Sequence, residues 1–313
     1  IDEVQELEGF EKSLRSWRTE PLTHVVVTGS NAHILSGELA TLIGGRCSEV
    51  YVQSLSYNEF LGFHQLHDSD EALLKYLDYG GLPALVNFGL NADARQYQSD
   101  VLHTALLKDI IGRVGVRNVG FLNNLLRFVG DNTGKPISPY NISNYMKSHG
   151  ESVSPTMIGN YLKYIREAYI IKSVNRYDIH GKALLDSNCK YYFEDVGIRN
   201  ALVGGSRQKD IEKVIENVVY QQLIRLGYEV AVGQLKAGEV DFVCNHVGEG
   251  SRIYIQVAYL VASDETYNRE FGTLHRLSDN YPKYVISMTP LVDKLDDDGI
   301  IHLGWRHFLT IGT

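Results

Sequence analysis

The chain has 313 residues, of which 44% are apolar and 22% are charged, and its formal net charge is −8. This length exceeds one ordinary hydrophobic core, so we expect several domains, and the acidic balance argues against a protein that coats nucleic acid indiscriminately. No apolar run approaches the roughly 18 residues of a membrane-spanning helix, and three isolated cysteines without a CxxC spacing argue against a disulfide framework or a zinc site. We therefore expect a soluble cytoplasmic protein with no membrane contact.

An α/β unit is predicted for residues 1–66. The chain opens with an aliphatic residue and the acidic pair Asp2 and Glu3, and the β-branched run "VVV" at 25–27 ends in the polar turn Thr-Gly-Ser-Asn. A short helix and a further strand follow. Alternating strands and helices are typical of α/β domains, whose ligands bind beyond the carboxyl ends of the strands. Because the unit is short, we expect the second half of a doubly wound domain.

Helices are predicted from Ser56 onward. Ser56 stands three residues before Glu59, which is the spacing of a capping box. The segments "DEALLKYLDYGGLPALV" and "ARQYQSDVLHTALLKDIIGRV" carry apolar residues at intervals of three and four, and the Gly-Gly-Leu-Pro in the first of them ends its helix. Residues 67–118 are therefore expected to form a helical lid.

Three helical segments and a β-hairpin are predicted for residues 119–200, which is the order of a winged helix-turn-helix. Residues 108–190 contain twelve Lys or Arg and six Asp or Glu, a local balance of +6 that leaves −14 for the rest. The third helix, about Pro155–Tyr169, would face a DNA major groove with Lys163 and Arg166 near phosphates. Such folds also connect domains, so DNA contact and a purely structural role remain alternatives.

Residues 201–313 are predicted to form a second α/β unit. The segment "KDIEKVIENVVYQQLIRLGY" is an amphipathic helix, and "EVAVGQ", "EVDFVCNHV" and "RIYIQVAYL" are strands. A further helix and two strand-like segments complete the chain. The whole chain is thus expected to be a multidomain α/β protein.

Seven segments, taken in chain order, resemble one family along nearly the whole length. They are similar to the predicted AAA-type ATPases of bacteria and archaea whose C-terminal domain of unknown function is similar in topology to restriction endonucleases. The resemblance implies an ATP-binding domain with Mg²⁺, a winged helix and a nuclease-like end. The segments are "IDEVQ", "VVVTGSNAHILSGELATLIGGR", "LSYNEFL", "YGGLPALV", "RYDIHGKALLDSNCKYYFEDVGIRNAL", "IENVVYQQLIRLGYEV" and "GEVDFVC…YIQVAY".

The resemblance implies roles for five N-terminal residues. Asp2 matches the acid that holds Mg²⁺ through water, and Glu3 matches the acid that orients the attacking water. Ser30 or Asn31 matches the polar residue that positions this water, although either is also a common turn former. Arg46 matches an arginine that neutralises charge on the γ-phosphate across a subunit interface, although an ordinary surface arginine is the alternative.

The phosphate-binding loop of such ATPases has the pattern GxxxxGK[ST], which these residues lack. The stretches "GGSRQK" and "GDNTGK" have the wrong spacing. Without backbone amides around the phosphates, Mg²⁺ has no triphosphate to bridge. We therefore expect a truncated ATPase that binds ATP weakly or not at all as it stands, with ATP and Mg²⁺ as ligands of the full-length parent.

In the nuclease-like end, Glu216, Asp241 and Gln256 match the positions of the catalytic acids, with Asp241 as the metal ligand. Such sites need two carboxylates and a lysine to activate water and stabilise the phosphate. Ala258 stands where the lysine belongs. The site is therefore expected to be degenerate, and an inactive core whose acids pair with nearby Lys or Arg is favoured over live cleavage.

Two nearby residues bear on this alternative. We expect Glu239 to point to the face of its strand opposite Asp241, and we note that Lys236, on the preceding turn, is a possible replacement for the missing lysine. The leading interpretation is a regulatory ATPase. A metal-dependent nuclease and a non-enzymatic DNA-binding or protein-binding module are the alternatives, and a homo-oligomer remains open.

Overall fold

The computed structural model describes most of the chain. The described residues are 1–4, 7, 9–17, 24–30, 48–111, 119–204, 207–236, 238–290, 294–295 and 299–312. Asn31 and Arg46, two of the residues predicted to act on the nucleotide, lie outside these ranges.

The N-terminal segment lies alongside the predicted "VVV" strand. The α-amino group of Ile1 donates to Val26 O at 2.7 Å, and backbone bonds of 2.9 and 3.0 Å join Thr28 to Ile1 and Val4. The described residues 24–30 and 48–53 are extended but form no regular strand. The side chain of Val26 is 75% exposed and that of Val52 is 85% exposed. These segments therefore have an uncovered face.

The helix predicted from the capping box is present, and another helix precedes it. Helix α1 is Phe10–Trp17, and α2 is Tyr57–Phe63, whose N-terminus is closed by the reciprocal bonds of Ser56 and Glu59. The remaining elements of this part are α3 (Asp70–Tyr79), a 3₁₀ turn (Pro83–Asn87), α4 (Ala92–Ala105) and a π-helical turn (Leu106–Ile111).

The Gly-Gly pair ends α3, as predicted, and also has a packing role. Gly80 has φ of +70°, which favours glycine. The amide of Gly81 donates to the buried carboxylate of Asp195 at 2.8 Å, and Asp195 also caps the N-terminus of the helix that follows it. Two of the segments that carry the family resemblance therefore contact each other here.

The predicted three helices and hairpin are present. They are α5 (Val119–Asp131), α6 (Pro139–Ser148), α7 (Pro155–Glu167), β1 (Ile171–Asp178) and β2 (Ala183–Phe193). Ser138 and Ser154 cap α6 and α7, each with Pro at the first helical position. Helix α8 (Val196–Val203) follows, and its buried Arg199 binds the carbonyl of Gly130 and the carboxylate of Asp210.

One eight-stranded sheet runs through the second half of the described residues, in the order β2-β1-β3-β4-β5-β6-β8-β7. Its hairpin and C-terminal strands are continuous because β1 pairs in parallel with β3. The sheet thus crosses the predicted boundary at residue 200. Its other elements are α9 (Arg207–Arg225), β3 (Tyr228–Leu235), β4 (Gly238–His246), β5 (Arg252–Val257), α10 (Asp264–His275), β6 (Lys283–Ser287), β7 (Lys294–Leu295), β8 (Ile300–Gly304) and α11 (Trp305–Thr310).

The main hydrophobic core lies between α9 and this sheet. Val218 and Leu223 of α9 pack in one cluster with Phe242 of β4 and Ile255 of β5, and the helical part adds Phe60 to the same cluster. This packing fixes α9 against β4. Within the described residues, no helix has the length and apolar character needed to cross a membrane.

Candidate functional site

The first candidate site lies where the N-terminal acids meet the end of the "VVV" segment. The hydroxyl of Thr28 donates to the carboxylate of Asp2, and the amide of Glu3 donates to Thr28 Oγ1 at 3.2 Å. Ser30 Oγ donates to Glu3 Oε2 at 3.2 Å. Two carboxylates and two hydroxyls are thereby brought together at the carboxyl end of the segment.

This site offers carboxylate and hydroxyl oxygens that solvent can reach. Asp2 is exposed and Glu3 is partly exposed, so water and a hydrated cation can reach both carboxylates. A hydroxyl that donates to Glu3 also fixes the orientation of its carboxylate. The structure brings Asp2, Glu3 and Ser30 together, and their roles in catalysis stay predictions. Sequence reasoning missed Thr28, which stood in the quoted polar turn but had no assigned role.

The second candidate site is a charged cluster, here called the Lys190 cluster, made of Lys190, Glu216, Glu239 and Asp241. Lys190 is on β2, Glu216 on α9, and the other two acids on β4. The Lys190 ammonium lies 2.7 Å from Glu239, 2.8 Å from Glu216 and 3.7 Å from Asp241. Its side chain is only 2% exposed. One buried cation thus joins three carboxylates from two elements.

The electrostatics of the Lys190 cluster are set by burial and by an excess of negative charge. Burial alone lowers the pKa of Lys190, but the carboxylates of Glu216, Asp241 and Glu239 outweigh it and raise this pKa. Burial, together with Glu216, raises the pKa of Asp241 to about 8, against the opposing effect of Lys190. The ammonium is therefore held in its charged form, and Asp241 is the carboxylate that is hardest to ionise.

Hydrogen bonds occupy the polar atoms around Asp241. Asp241 Oδ2 accepts from the amide of Val257 at 2.9 Å. The amide side chain of Gln256 accepts from the backbone of Asp241 at 3.3 Å and donates to Glu270 at 2.9 Å. The hydroxyl of Tyr192 on β2 donates to the carboxylate of Glu216 on α9 at 2.6 Å. The predicted nuclease residues Glu216, Asp241 and Gln256 thus all lie within one hydrogen-bonded network.

Two expectations about this region are corrected. The expectation that Glu239 faces away from Asp241 was wrong, because residues two apart on a strand share a face, and both acids contact Lys190. The lysine in the cluster is Lys190, whereas Lys236 is exposed. A signal was present in the sequence, since Lys190 directly precedes the apolar run Tyr191-Tyr192-Phe193 at the end of its strand.

Among the residues that the structure describes, no group of three or more His, Cys, Asp or Glu is placed to hold a metal ion. The predictions that Asp2 and Asp241 bind metal receive no test from this. Glu216 and Asp241 both pair with Lys190, so two carboxylates and a lysine lie together in the cluster.

The predicted DNA-contacting residues lie on the exposed face of α7. Lys163 is 61% exposed and its ammonium lies 3.7 Å from Glu167, one turn further on. Arg166 is also exposed, and so is Asn160 on the same helix. Residues 132–166 contain four Lys or Arg and one Glu. Helix α7 itself carries two basic residues and the acid Glu167, a net charge of +1.

Comparison with known proteins identifies two regions. The profile of the AAA domain matches residues 1–61, and that of a domain of unknown function, DUF8612, matches residues 70–209. An uncharacterized protein of Haemophilus influenzae is 34% identical over 294 residues, which cover 92% of this chain and 71% of that protein. An uncharacterized protein of Methanocaldococcus jannaschii is 28% identical over 274 residues, which cover 83% of this chain and 60% of that protein.

Proposed function

We propose that this chain, which belongs to the same protein family as the uncharacterized Haemophilus influenzae protein and contains an AAA domain, supplies the acids that position Mg²⁺ and water in an ATPase. Asp2 is the residue proposed to hold Mg²⁺ through water. Glu3 is proposed to orient the attacking water. The observation that carries this proposal is the hydrogen bond from Ser30 to Glu3.

The geometry supports these roles for a physical reason. An acid that orients water must keep one oxygen fixed while the other remains able to accept a proton or hydrogen bond from the water. The 3.2 Å bond from Ser30 holds Oε2 of Glu3, and Thr28 holds the backbone amide of Glu3 and the carboxylate of Asp2. Both acids therefore have defined orientations while staying accessible.

The phosphate-binding loop is proposed to lie elsewhere in the full-length protein. These 313 residues contain no GxxxxGK[ST] stretch, and the chain spans only 71% and 60% of its two relatives. ATP and Mg²⁺ are accordingly proposed as ligands of the full-length protein, with hydrolysis regulating what the rest of the chain binds. Arg46 keeps its proposed role at the γ-phosphate and Asn31 its role as the alternative to Ser30.

The test is ATP turnover by the full-length protein with Glu3→Gln. The amide keeps the size of the side chain and removes its charge, so turnover should fall about 100-fold or more. Glu71→Gln is the matched control, because Glu71 is 80% exposed and its carboxylate lies 2.8 Å from the ammonium of Lys75 on the same helix. Turnover of Glu3→Gln within twofold of the control would remove Glu3 from this role.

We also propose DNA contact by α7 as a second function. This proposal rests on the exposure of Lys163 and Arg166 on α7. Both residues lie in the segment 132–166, which contains four Lys or Arg and one Glu. Helix α7 follows α6 across a short turn and precedes the hairpin, which is the order in which a winged helix presents its recognition helix. Contacts of this kind are made to phosphates, so their strength depends on salt concentration.

A further inference from the structure

We infer that the ammonium group of Lys190 occupies the position that a divalent metal ion would take among Glu216, Glu239 and Asp241, so that the nuclease-like end of the chain is a metal-independent scaffold. This inference concerns a different part of the molecule from the proposed ATPase site and does not depend on it. No role was predicted for Lys190 from the sequence.

The distances place the ammonium at the centre of the acids. It is in hydrogen-bonding contact with Glu216 and Glu239, at 2.8 and 2.7 Å, and is 3.7 Å from Asp241. Ammonium and divalent cations are alternatives for the same carboxylates, because both neutralise charge that would otherwise repel. A metal ion within about 2.6 Å of these oxygens would overlap the ammonium.

Lys190 is not free to leave this position. Its side chain is 2% exposed, and its backbone is paired with Val174 in the ladder between β2 and β1. Tyr192, two residues along the same strand, donates to Glu216 and packs at 4.6 Å, centroid to centroid, on Tyr220 of α9. Moving the ammonium away would leave three acids together with no cation and would disturb this packing.

The surrounding donor set also fits a lysine better than a metal. Asp241 Oδ2 already accepts from the amide of Val257, and the Gln256 side chain is engaged with Asp241 and Glu270. On the opposite side, the backbone of Gly134 lies so close that a Cβ there would be 2.8 Å from Glu216 Oε2. These oxygens are therefore already in contact with protein donors or lie close to the backbone.

The experiment removes the ammonium and asks whether a metal replaces it. Thermal unfolding of the chain is measured in chelator and in millimolar Mn²⁺ for the native protein and for Lys190→Ala. In chelator, the midpoint of Lys190→Ala should fall by about 10 °C, because three acids lose their cation. Mn²⁺ should restore at least half of this fall and leave the native midpoint unchanged.

Two control variants make the result specific. Lys213→Ala removes a lysine of α9 that pairs with Asp210 at 2.7 Å, outside the Lys190 cluster, and should show no rescue by Mn²⁺. The double variant Lys190→Ala with Asp241→Asn should lose the rescue that Lys190→Ala shows. If Lys190→Ala is destabilised without any rescue by Mn²⁺, the lysine is an ordinary ion-pair partner and the inference is overturned.

A second measurement decides the question if Lys190→Ala does not fold. Mn²⁺ is titrated into the native protein and into Asp241→Asn, and bound Mn²⁺ is followed by electron paramagnetic resonance. The two titrations should be the same, because the ammonium of Lys190 already occupies the space between the carboxylates in both proteins. A binding event in the native protein that Asp241→Asn removes would show that metal and lysine coexist and would overturn the inference.

Discussion

Two acidic sites in this molecule use the same residue types in opposite ways. Asp2 and Glu3 lie at an accessible edge and are oriented by the hydroxyls of Thr28 and Ser30. In the Lys190 cluster, the acids surround a lysine that is 2% exposed. Burial and pairing therefore decide whether a carboxylate remains available to a ligand or becomes part of the framework.

The acidic residues alone do not distinguish the two sites, and their hydrogen-bond and ion-pair partners do. A hydroxyl donor orients a carboxylate without neutralising it, so its charge remains available to Mg²⁺ or water. A buried ammonium neutralises the carboxylate and removes it from reaction.

The largest expected effect is on stability at Lys190. Lys190→Met should lower the free energy of unfolding by about 3–5 kcal/mol, because breaking a buried ion pair leaves uncompensated charge. Asp2→Asn should lower it by less than about 1 kcal/mol, since Asp2 is exposed. Urea unfolding of both variants provides the comparison. Equal losses would mean that the two sites are not different in kind.

The next effect concerns the hydroxyl that orients Glu3. Ser30→Ala should lower ATP turnover of the full-length protein about tenfold, because the Glu3 carboxylate loses its donor at 3.2 Å. Combined with Glu3→Gln, it should add little further loss, since Ser30 acts through Glu3. Steady-state kinetics of the two single variants and the double variant test this. Fully additive losses would show that Ser30 acts independently.

A smaller effect is the pH dependence of Asp241. Burial raises the pKa of Asp241 to about 8, so the folded protein keeps a proton that the unfolded chain releases near pH 4. Stability therefore falls as pH rises between these values. Asp241→Asn has no such proton to lose, so it should gain stability relative to the native protein as pH rises from about 5 to about 8 and should be the more stable of the two near pH 8.

Urea unfolding near both pH values measures this effect. The contradicting outcome is an Asp241→Asn variant that is less stable than the native protein near pH 8. Such a result would mean that the Lys190 cluster needs all three of its acids.

The smallest effect is expected at the exposed face of α7. Lys163→Ala should weaken binding of duplex DNA a few-fold at low salt, uniformly across sequences, and reduce the dependence of affinity on salt by about one phosphate contact. Arg166→Ala should act in the same way. Fluorescence anisotropy over a salt series measures both. Binding that does not depend on salt, or no binding, would favour a protein partner.

Much of the fold followed from local sequence signals. The capping box at Ser56, the end of α3 at the Gly-Gly pair, and the three helices with a hairpin are set by contacts within a few residues. The continuity of the sheet was not predictable, because it depends on β1 pairing with β3, more than 50 residues further along the chain. The strands expected at 25–27 and near Val52 did not form regular ladders in the described residues.

In the two candidate sites, too, some features were predictable from the sequence and others depended on distant contacts. The family resemblance assigned roles in one site to Glu3 and to Ser30 or Asn31, but the hydrogen bond between Ser30 and Glu3 was not predicted. For the Lys190 cluster, the resemblance placed Glu216 and Asp241 in one site, but the participation of Lys190 and Glu239 was not predicted, because the cluster joins a hairpin strand, a helix and a third strand that are distant in sequence. Sequence spacing locates residues on one element, but only tertiary packing shows which charges on different elements neutralise each other.

The most direct test of the contrast is ATP turnover by two Glu→Gln variants of the full-length protein. Glu3→Gln removes a partly exposed acid that accepts a hydrogen bond from Ser30, whereas Glu239→Gln removes one that is paired with Lys190 at 2.7 Å. Turnover should fall about 100-fold in the first and stay within about twofold of native in the second. Equal losses in the two variants, or full activity of Glu3→Gln, would contradict the account.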